Sequence, residues 1–180
     1  GWNAQPTRLV TFEDVRIHQS ALLGSEGQGF SFAMKGLDGG RINIATCSIG
    51  TAQQALNTAR NYMLERQQFG KPLAAFQALQ FKLADMATEL EAARLMLYHA
   101  AEAANLGEDL STASSMVKLF VAETAMDIVL ACQKIMGAYG YATDYDMERY
   151  VRDIQITPIA GGSSNMQRNN IANRMGLPNR

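Results

Sequence analysis

Apolar residues recur at intervals of three and four from about residue 30 onward, and this periodicity limits the possible fold more than any other feature of the chain. Such spacing places an apolar stripe along each α-helix, and each stripe must be buried against other helices. We predict helices over about residues 30–67, 75–105, 111–136, 145–152 and 163–175, joined by short connections. Short connections are typical of antiparallel neighbours. The predicted fold is therefore all-α, an up-and-down helical bundle.

Two details of these helices are specific enough to be checked. Phe32 and Leu37 belong to the apolar stripe of the first helix, so we expect both side chains to be buried. The hydroxyl residues Ser111 and Thr112 stand where the third helix begins, and we expect this pair to cap it.

The first 26 residues follow a different pattern. Short β-prone runs at 8–12 and 15–17 alternate apolar and polar side chains, which predicts strands. Two short strands do not make a stable sheet alone. We therefore expect a short β remnant that packs on the helices or on strands outside this chain.

Composition excludes several classes of function. The 180 residues are 47% apolar, and a formal net charge of −1 gives no reason to expect nucleic acid or an anionic membrane as a partner. No run of 18 apolar residues could span a membrane. Neither His18 nor His99 has glutamate three residues before it, so no di-iron bundle or other metal site is expected. Cys47 and Cys132 are predicted to be reduced core thiols of an intracellular protein.

Three glycines interrupt the first predicted helix. Gly36, Gly39 and Gly40 each cost about 1 kcal/mol of helix stability relative to alanine. Their clustering suggests that a ligand approaches bare backbone, with Asp38 and Arg41 beside it to hold polar groups. The alternative is close contact with another helix at these small residues.

Two further segments could bind an anion. At residues 65–72, Arg66 and Phe69 suit phosphate pairing and ring stacking, although a cation at a helix end is also favourable to the helix dipole. At residues 159–165, glycines and hydroxyls precede the last helix, where free amides could seat a pyrophosphate. The alternative for this segment is a plain N-cap.

Taken together, these segments resemble the acyl-CoA dehydrogenase family, most closely its isobutyryl-CoA dehydrogenase branch. The matching runs lie across essentially the whole chain, at residues 1–8, 36–45, 65–73, 77–88 and 150–153. The resemblance implies that residues 1–26 are the end of a middle β domain and that residues 27–180 are the C-terminal helical-bundle domain.

The resemblance also implies a function. Such enzymes hold FAD and form a 2,3-double bond in short, and in some members branched, acyl-CoA thioesters: a glutamate removes the α-proton while flavin N5 takes the β-hydride. An electron-transferring flavoprotein then reoxidises the flavin. We therefore expect acyl-CoA and that flavoprotein as partners, a homotetramer with the bundles at its centre, and a bacterial cytoplasmic or mitochondrial matrix location.

Site residues follow from the same resemblance. Asp38 and Arg41 are expected to hold the CoA moiety. The cofactor contacts are expected from residues at three places in the chain, with the first three reaching FAD bound mainly by a neighbouring subunit: Arg66, Gln68, Phe69, Lys134, Ala138, Ser163 and Asn165.

Several positions depart from the family pattern. The family has Glu-Gly-Thr/Ser before the last helix, but Gly161 stands at the position of the base. A subset of the family places its glutamate in the first long helix, where this chain has Gly40. Lys134 replaces a flavin-contacting glutamine, Ala138 replaces the second glycine of a turn, and Ala160 replaces an aromatic residue. A placed base contributes about 10²–10⁴-fold to the rate. We therefore expect dehydrogenation to be severely impaired.

Other functions remain open at this stage. Asp144, Asp146 and Glu148 are carboxylates near the last helices, but no family pattern puts them at the substrate α-carbon. One alternative is a non-catalytic subunit that binds acyl-CoA or flavin, or that serves oligomerisation. Another is a structural bundle without a ligand.

Overall fold

Residues 2–178 form a helical bundle in a computed structural model. Within that range there are six α-helices, and the strands there form one two-stranded antiparallel hairpin. The elements are α1 (Gly29–Glu65), β1 (Gln67–Gln68), β2 (Lys71–Pro72), α2 (Gln77–Asn105), α3 (Leu110–Met136), α4 (Ala138–Tyr141), α5 (Met147–Ile154) and α6 (Ser164–Arg174). The predicted all-α fold is confirmed.

Helices α1 and α3 run in the same direction through the bundle. At one end, Arg41 of α1 donates a hydrogen bond of 3.5 Å to Ser115 of α3. At the other end, the ring of Tyr62 lies 6.1 Å from that of Tyr139, just after α3. The long helix α2 lies between them in sequence and returns the chain.

The last helix, α6, runs antiparallel to α3. Arg168 of α6 forms an ion pair of 2.8 Å with Glu123 of α3. One and a half turns later, Arg174 pairs with Asp109, which precedes α3, at 3.2 Å. The chain therefore passes up, down, up and down, as expected of an up-and-down bundle.

The core surrounds α3, which packs against α1, α2, α5 and α6. Small side chains dominate the buried face of α1, so the axes of α1 and α3 can approach closely. The buried apolar residues of these two helices are Ala45, Ile49, Ala52, Ala55, Leu56, Ala59, Tyr62, Met63, Val117, Val121, Ala122, Ala125, Ile128, Val129, Cys132 and Met136.

The connection between α2 and α3 shows why each helix ends where it does. Gly107 follows α2 with a φ of +74°, a left-handed conformation that glycine adopts without strain. Asp109 then caps α3, because its Oδ1 accepts a hydrogen bond of 3.0 Å from the amide of Ser111. The predicted cap at Ser111 and Thr112 is therefore wrong by two residues.

The first third of α1 extends away from the packed core. The first buried residue of α1 is Ala45. Phe32 is 38% exposed and Leu37 is 41% exposed, so the prediction that they are buried is wrong for residues 2–178. The periodicity correctly predicted a helix here, but burial requires a packing partner that this part of the chain does not supply.

The predicted strands at 8–12 and 15–17 do not form. Residues 8–17 have no helix or strand, and their large side chains, including Leu9, Phe12 and Ile17, are exposed. Its regular structure is a single 3₁₀ turn at Gln19–Ala21. Strands need a neighbour for their backbone hydrogen bonds, and none lies beside this segment in the described residues. The assignment of residues 1–26 to a preceding domain stays a prediction, and Gly1 lies outside the described residues.

The two cysteines differ in their surroundings. Cys132 is buried as predicted, whereas Cys47 is exposed, so its assignment to the core is wrong. Cys47 lies on the face of α1 that turns away from α3. None of the helices in residues 2–178 is both long and apolar enough to cross a membrane.

Candidate functional site

The candidate site residues lie at two ends of the bundle. Asp38 and Arg41 lie near the start of α1, and Arg66 follows its last residue, Glu65. The helix runs without a break between them, and at 1.5 Å per residue it covers about 36 Å from Arg41 to Glu65. The family resemblance assigned Asp38 and Arg41 to CoA, and Arg66 to FAD bound mainly by a neighbouring subunit. One copy of the chain keeps these two groups of residues apart.

At the first end, Arg41 and Asp38 form a largely buried ion pair. Arg41 Nη1 donates to Asp38 Oδ1 at 2.5 Å, and the same nitrogen lies 3.5 Å from Ser115 Oγ. Arg41 Nε is buried and has no hydrogen-bond partner among the described residues. The pair opens on a groove of about 350 Å³ between α1, the start of α3 and the end of α6, where Asn170 and Arg174 contribute polar atoms.

The interior glycines of α1 face open space. A Cβ built at Gly36, Gly39 or Gly40 would meet no atom within 4 Å. Close helix–helix contact at these residues is therefore absent from residues 2–178, and that alternative is wrong for this part of the chain. Bare backbone beside the Asp38–Arg41 pair is accessible to a ligand or to another chain.

A turn of two left-handed glycines precedes α6. Gly161 has a φ of +69° and Gly162 a φ of +95°. Their carbonyl oxygens both accept hydrogen bonds from Nε2 of Gln167, at 3.3 Å and 3.0 Å. Among the described residues, no acceptor binds the amide of either glycine. Gln167 Oε1 and the hydroxyl of Ser164 are also buried without a partner, so the turn has unused polar groups of both kinds.

The two other predicted residues at this turn behave differently. Ser163 caps α6, since its hydroxyl accepts from the amide of Met166 at 3.4 Å. Ser163 is therefore the N-cap of α6, as the alternative for this segment predicted. The amides of Gly161 and Gly162 take no part in this cap and stay free for a ligand. Asn165 is exposed in the first turn of α6.

The turn lies against α1 close to the ion pair. A Cβ at Gly161 would come within 3.4 Å of Ile44 Cγ1, and Ile44 is three residues after Arg41. The glycine-rich part of α1 and the turn before α6 therefore form one neighbourhood. Two of the three segments that sequence reasoning singled out meet there.

Sequence reasoning missed Lys118, which is fully buried under the same turn. Its Nζ donates to the carbonyl oxygens of Thr157 at 2.5 Å and of Gly162 at 3.3 Å. Burial lowers the pKa of Lys118, the nearby charge of Arg41 lowers it further, and Glu123 opposes both effects. A signal was available, because this lysine interrupts the apolar stripe of the helix predicted over 111–136.

At the other end of α1, a hairpin presents an aromatic ring to the surface. Phe69 and Gly70 form its turn, with φ values of +53° and +76°. Phe69 is 91% exposed, and its ring centroid lies 6.3 Å from that of Phe76 in a T-shaped arrangement. A left-handed conformation is strained for a bulky residue and is commonly found at functional positions. Gln68 is exposed as well, with its amide turned back onto the carbonyl oxygen of Gln67.

The remaining predicted cofactor residues lie near this hairpin. The guanidinium of Arg66 is 6.0 Å from the ring of Tyr139, which follows Ala138 in α4. Lys134 and Ala138 are exposed at the end of α3 and the start of α4. Arg66, Gln68, Phe69, Lys134 and Ala138 thus share one end of the bundle.

The carboxylates of α5 and the residues before it are engaged in surface ion pairs. Glu148 accepts from Arg152 at 2.7 Å, and this hydrogen bond lowers the pKa of Glu148. Asp146 pairs with Arg149 at 3.1 Å. Asp144 is exposed. Both engaged carboxylates are acceptors for arginine, which leaves them poorly suited to act as bases.

Known proteins were compared with this chain. A family model for the acyl-CoA dehydrogenase C-terminal domain matches residues 27–176. A mitochondrial isobutyryl-CoA dehydrogenase of Bos taurus is 47% identical over 169 residues, which are 93% of this chain and 41% of that protein. The chain therefore spans about two fifths of the length of this relative.

Solved structures give the same result. The butyryl-CoA dehydrogenase of Megasphaera elsdenii superposes with a TM-score of 0.89 at 39% identity, over 91% of this chain and 43% of that one. A chain in a structure concerning the electron transferring flavoprotein of Acidaminococcus fermentans superposes with a TM-score of 0.88 at 45% identity, over 91% and 43% of the two chains.

Proposed function

The chain belongs to the acyl-CoA dehydrogenase family, and we propose that it is the C-terminal helical part of an FAD-dependent enzyme acting on short acyl-CoA thioesters, branched-chain ones included. Residues 27–180 would be the bundle domain and residues 1–26 the end of a preceding β domain. The exposed apolar side chains before residue 38 support this division, since a preceding domain would cover them.

One observation carries the proposal. The glycine-rich part of α1 contains Asp38 and Arg41. It adjoins the turn at Gly161, with its free amides, through Ile44. This neighbourhood offers a cation, accessible backbone and unsatisfied donors to one elongated anionic ligand. A CoA thioester lying on α1 would bring its acyl end to the turn.

The flavin contacts would come from two copies of the chain. The Gly161 turn adjoins α1 at Ile44, and Arg66, Gln68 and Phe69 follow the end of α1 about 32 Å further along the helix. A second copy is therefore needed to bring its exposed hairpin to the FAD that contacts the turn of the first. The unsatisfied groups of Ser164 and Gln167 fit a polar cofactor there. We propose a homotetramer built on such pairs.

The residues of this chain would bind and orient the reactants. When bound, the flavin supplies a hydride acceptor, and an electron-transferring flavoprotein would reoxidise it. Arg41 would hold the CoA moiety, and the Gly161 turn would contact the acyl end. Relatives named as mitochondrial support a matrix location in a eukaryote, and bacterial relatives support a cytoplasmic one in a bacterium.

Proton abstraction is the step that this chain would not support. Gly161 stands at the position of the family's base and has no side chain, and the same holds for Gly40. We propose that dehydrogenation is reduced by at least about 10²-fold relative to a chain with a carboxylate in place. The isolated chain would also lack a complete FAD site.

The second candidate is a non-catalytic acyl-CoA- or flavin-binding subunit. It is favoured by the left-handed φ of Gly161, a conformation that glutamate adopts only with strain. The turn would then bind the acyl end without reacting with it. Such a subunit would retain ligand affinity without turnover.

The test compares the protein, joined to the domains that precede this region in its relatives, with Gly161→Glu and Gly161→Ala. Alanine introduces the same strain without a carboxylate. Turnover of isobutyryl-CoA with a dye acceptor is expected to rise at least about 10²-fold in the glutamate variant only. Turnover by the unmodified protein equal to that of Gly161→Glu would overturn the proposed loss of the base. If the unmodified protein and Gly161→Glu both fail to turn over isobutyryl-CoA but still bind acyl-CoA, the second candidate holds. If neither flavin nor acyl-CoA binds, the bundle is structural.

A further inference from the structure

Lys118 is an unusual component of the bundle core. Its side chain has no exposed surface, and it projects from the buried face of α3, in the first third of that helix. Lysine is almost never fully buried unless its charge is paired. Here its Nζ binds two backbone carbonyl oxygens, those of Thr157 and Gly162.

These two carbonyls lie on either side of the segment that carries position 161. Thr157 follows the last turn of α5, and Gly162 precedes the cap of α6. The intervening residues include Pro158 and the left-handed Gly161, and Gly162 itself is also left-handed. One ammonium group therefore holds both ends of a segment that has little regular structure of its own.

Lys118 also lies beside the direction that a side chain at position 161 would take. A Cβ built at Gly161 would be 3.7 Å from Lys118 Cε and 3.4 Å from Ile44 Cγ1. Both contacts are ordinary van der Waals distances. A side chain introduced at this position would therefore begin next to the end of the Lys118 side chain.

The burial of this charge is costly, and packing alone does not require it. An apolar side chain of similar length would fill the same space, and such replacements are often neutral or stabilising. The charges that face Lys118 are Arg41, which disfavours its ammonium form, and Glu123, which favours it. A cation retained against this cost has a use that core packing does not explain.

We propose that Lys118 is the positioning residue of the turn at position 161. It holds the turn through the carbonyl oxygens of Thr157 and Gly162, and its charge would stabilise a carboxylate introduced at position 161. The significance of this position for catalysis rests on the proposed function. The hydrogen bonds and the charge of Lys118 do not depend on the proposed function.

The first experiment measures hydrogen exchange in the 180-residue chain and in Lys118→Met, which keeps the length of the side chain but removes the donor. The amides of Ile159, Ala160 and Ser164 donate to carbonyl oxygens of the same segment. Their exchange is expected to increase about tenfold or more, while amides of the α1–α3 core are unchanged. Lys82→Met, at an exposed site, is the control and is expected to change neither region. Unchanged exchange at the turn would overturn the holding role.

The second experiment tests the charge. The carboxyl pKa of the Gly161→Glu variant is measured by carbon NMR with lysine, methionine or glutamine at position 118. With lysine the pKa is expected to be at least about one unit lower than with either neutral residue. Lys118→Gln keeps a donor, so its turn is expected to exchange more slowly than that of the methionine variant. A pKa that does not depend on residue 118 would overturn the electrostatic role.

These outcomes are separable from the proposed function. If the core of both Lys118 variants fails to form, the proposal is overturned, because it requires that only the turn be loosened. Titration of the unmodified chain with coenzyme A tests the proposed function instead. Failure of that titration would leave the exchange and pKa results for Lys118 unaffected.

Discussion

Nε2 of Gln167 lies 3.0 Å from the carbonyl oxygen of Gly162, and it occupies the space that a Cβ of residue 162 would need. Gly162→Ala should therefore combine left-handed strain with steric overlap. We expect a loss of about 2–5 kcal/mol in the free energy of unfolding, measured with urea.

The matched control for that change is Gly107→Ala. Gly107 also has a left-handed φ, but a Cβ there would meet no atom within 4 Å. Its substitution should cost only the strain, about 1–2 kcal/mol. Equal losses in the two variants would show that Gln167 moves aside without cost.

The buried ammonium of Lys118 should make stability depend on pH. Burial, aided by Arg41, lowers its pKa in the folded protein, whereas unfolded lysine titrates near about 10.4. Between these two pKa values the unfolded chain binds more protons, so this residue makes stability rise with pH. Relative to Lys118→Met, the unmodified chain should gain stability as pH rises from the folded pKa toward about 10.4, and the difference should be constant below the folded pKa. Urea unfolding at several pH values measures this difference, and parallel curves would contradict it.

The two thiols should differ sharply in reactivity. Burial raises the pKa of Cys132 to about 12, while Cys47 is exposed. In the folded chain, iodoacetamide should modify Cys47 at least about 100-fold faster than Cys132, as followed by mass spectrometry. In urea the rates should converge. Since its pKa is raised above the unfolded value of about 8.5, Cys132 contributes stability that is lost as pH rises from there toward 12.

Arg41 should be required for binding coenzyme A. Arg41→Gln removes the guanidinium that points into the groove with Asp38, and affinity is expected to fall about tenfold or more in a calorimetric titration. Arg94→Gln is a matched control, because Arg94 pairs with Glu91 and lies on α2, outside this groove. Equal affinities of both variants would remove Arg41 from the site.

Phe69 should matter for the cofactor and not for stability. It is exposed and has a left-handed φ, which asparagine tolerates better than phenylalanine. Phe69→Asn should leave the free energy of unfolding unchanged or raise it by up to about 1 kcal/mol. In the protein joined to its preceding domains, the flavin retained after gel filtration should fall. Full retention would show that the hairpin is not part of the FAD site.

The helices were predictable because helix formation depends on the spacing of apolar and helix-ending residues that are close in sequence. The stripe that ends near Met136 and the stop at Gly107 both follow from residues a few positions apart. Burial was less predictable. Phe32 and Leu37 fit the stripe of α1, but both side chains stay more than a third exposed in residues 2–178. The strands at 8–12 and 15–17 failed for a related reason, since no neighbour pairs with them.

The candidate site was predictable where its members lie within one turn of helix. Asp38 and Arg41 are three residues apart, and this spacing alone brings an aspartate and an arginine together. Lys118 was not predictable in the same way. Its partners are backbone carbonyls 39 and 44 residues further along the chain, and every residue type offers such a group.

Helix α1 sets the distance between the two groups of candidate site residues. Its backbone continues without a break from the segment beside Arg41 to Glu65, next to the hairpin. Each inserted or deleted residue would shift one end relative to the other by about 1.5 Å and rotate it by about 100°. Substitutions in the middle of α1 can therefore be accommodated by repacking. A change in the number of its residues would instead change the distance and the relative rotation between Arg41 and the hairpin.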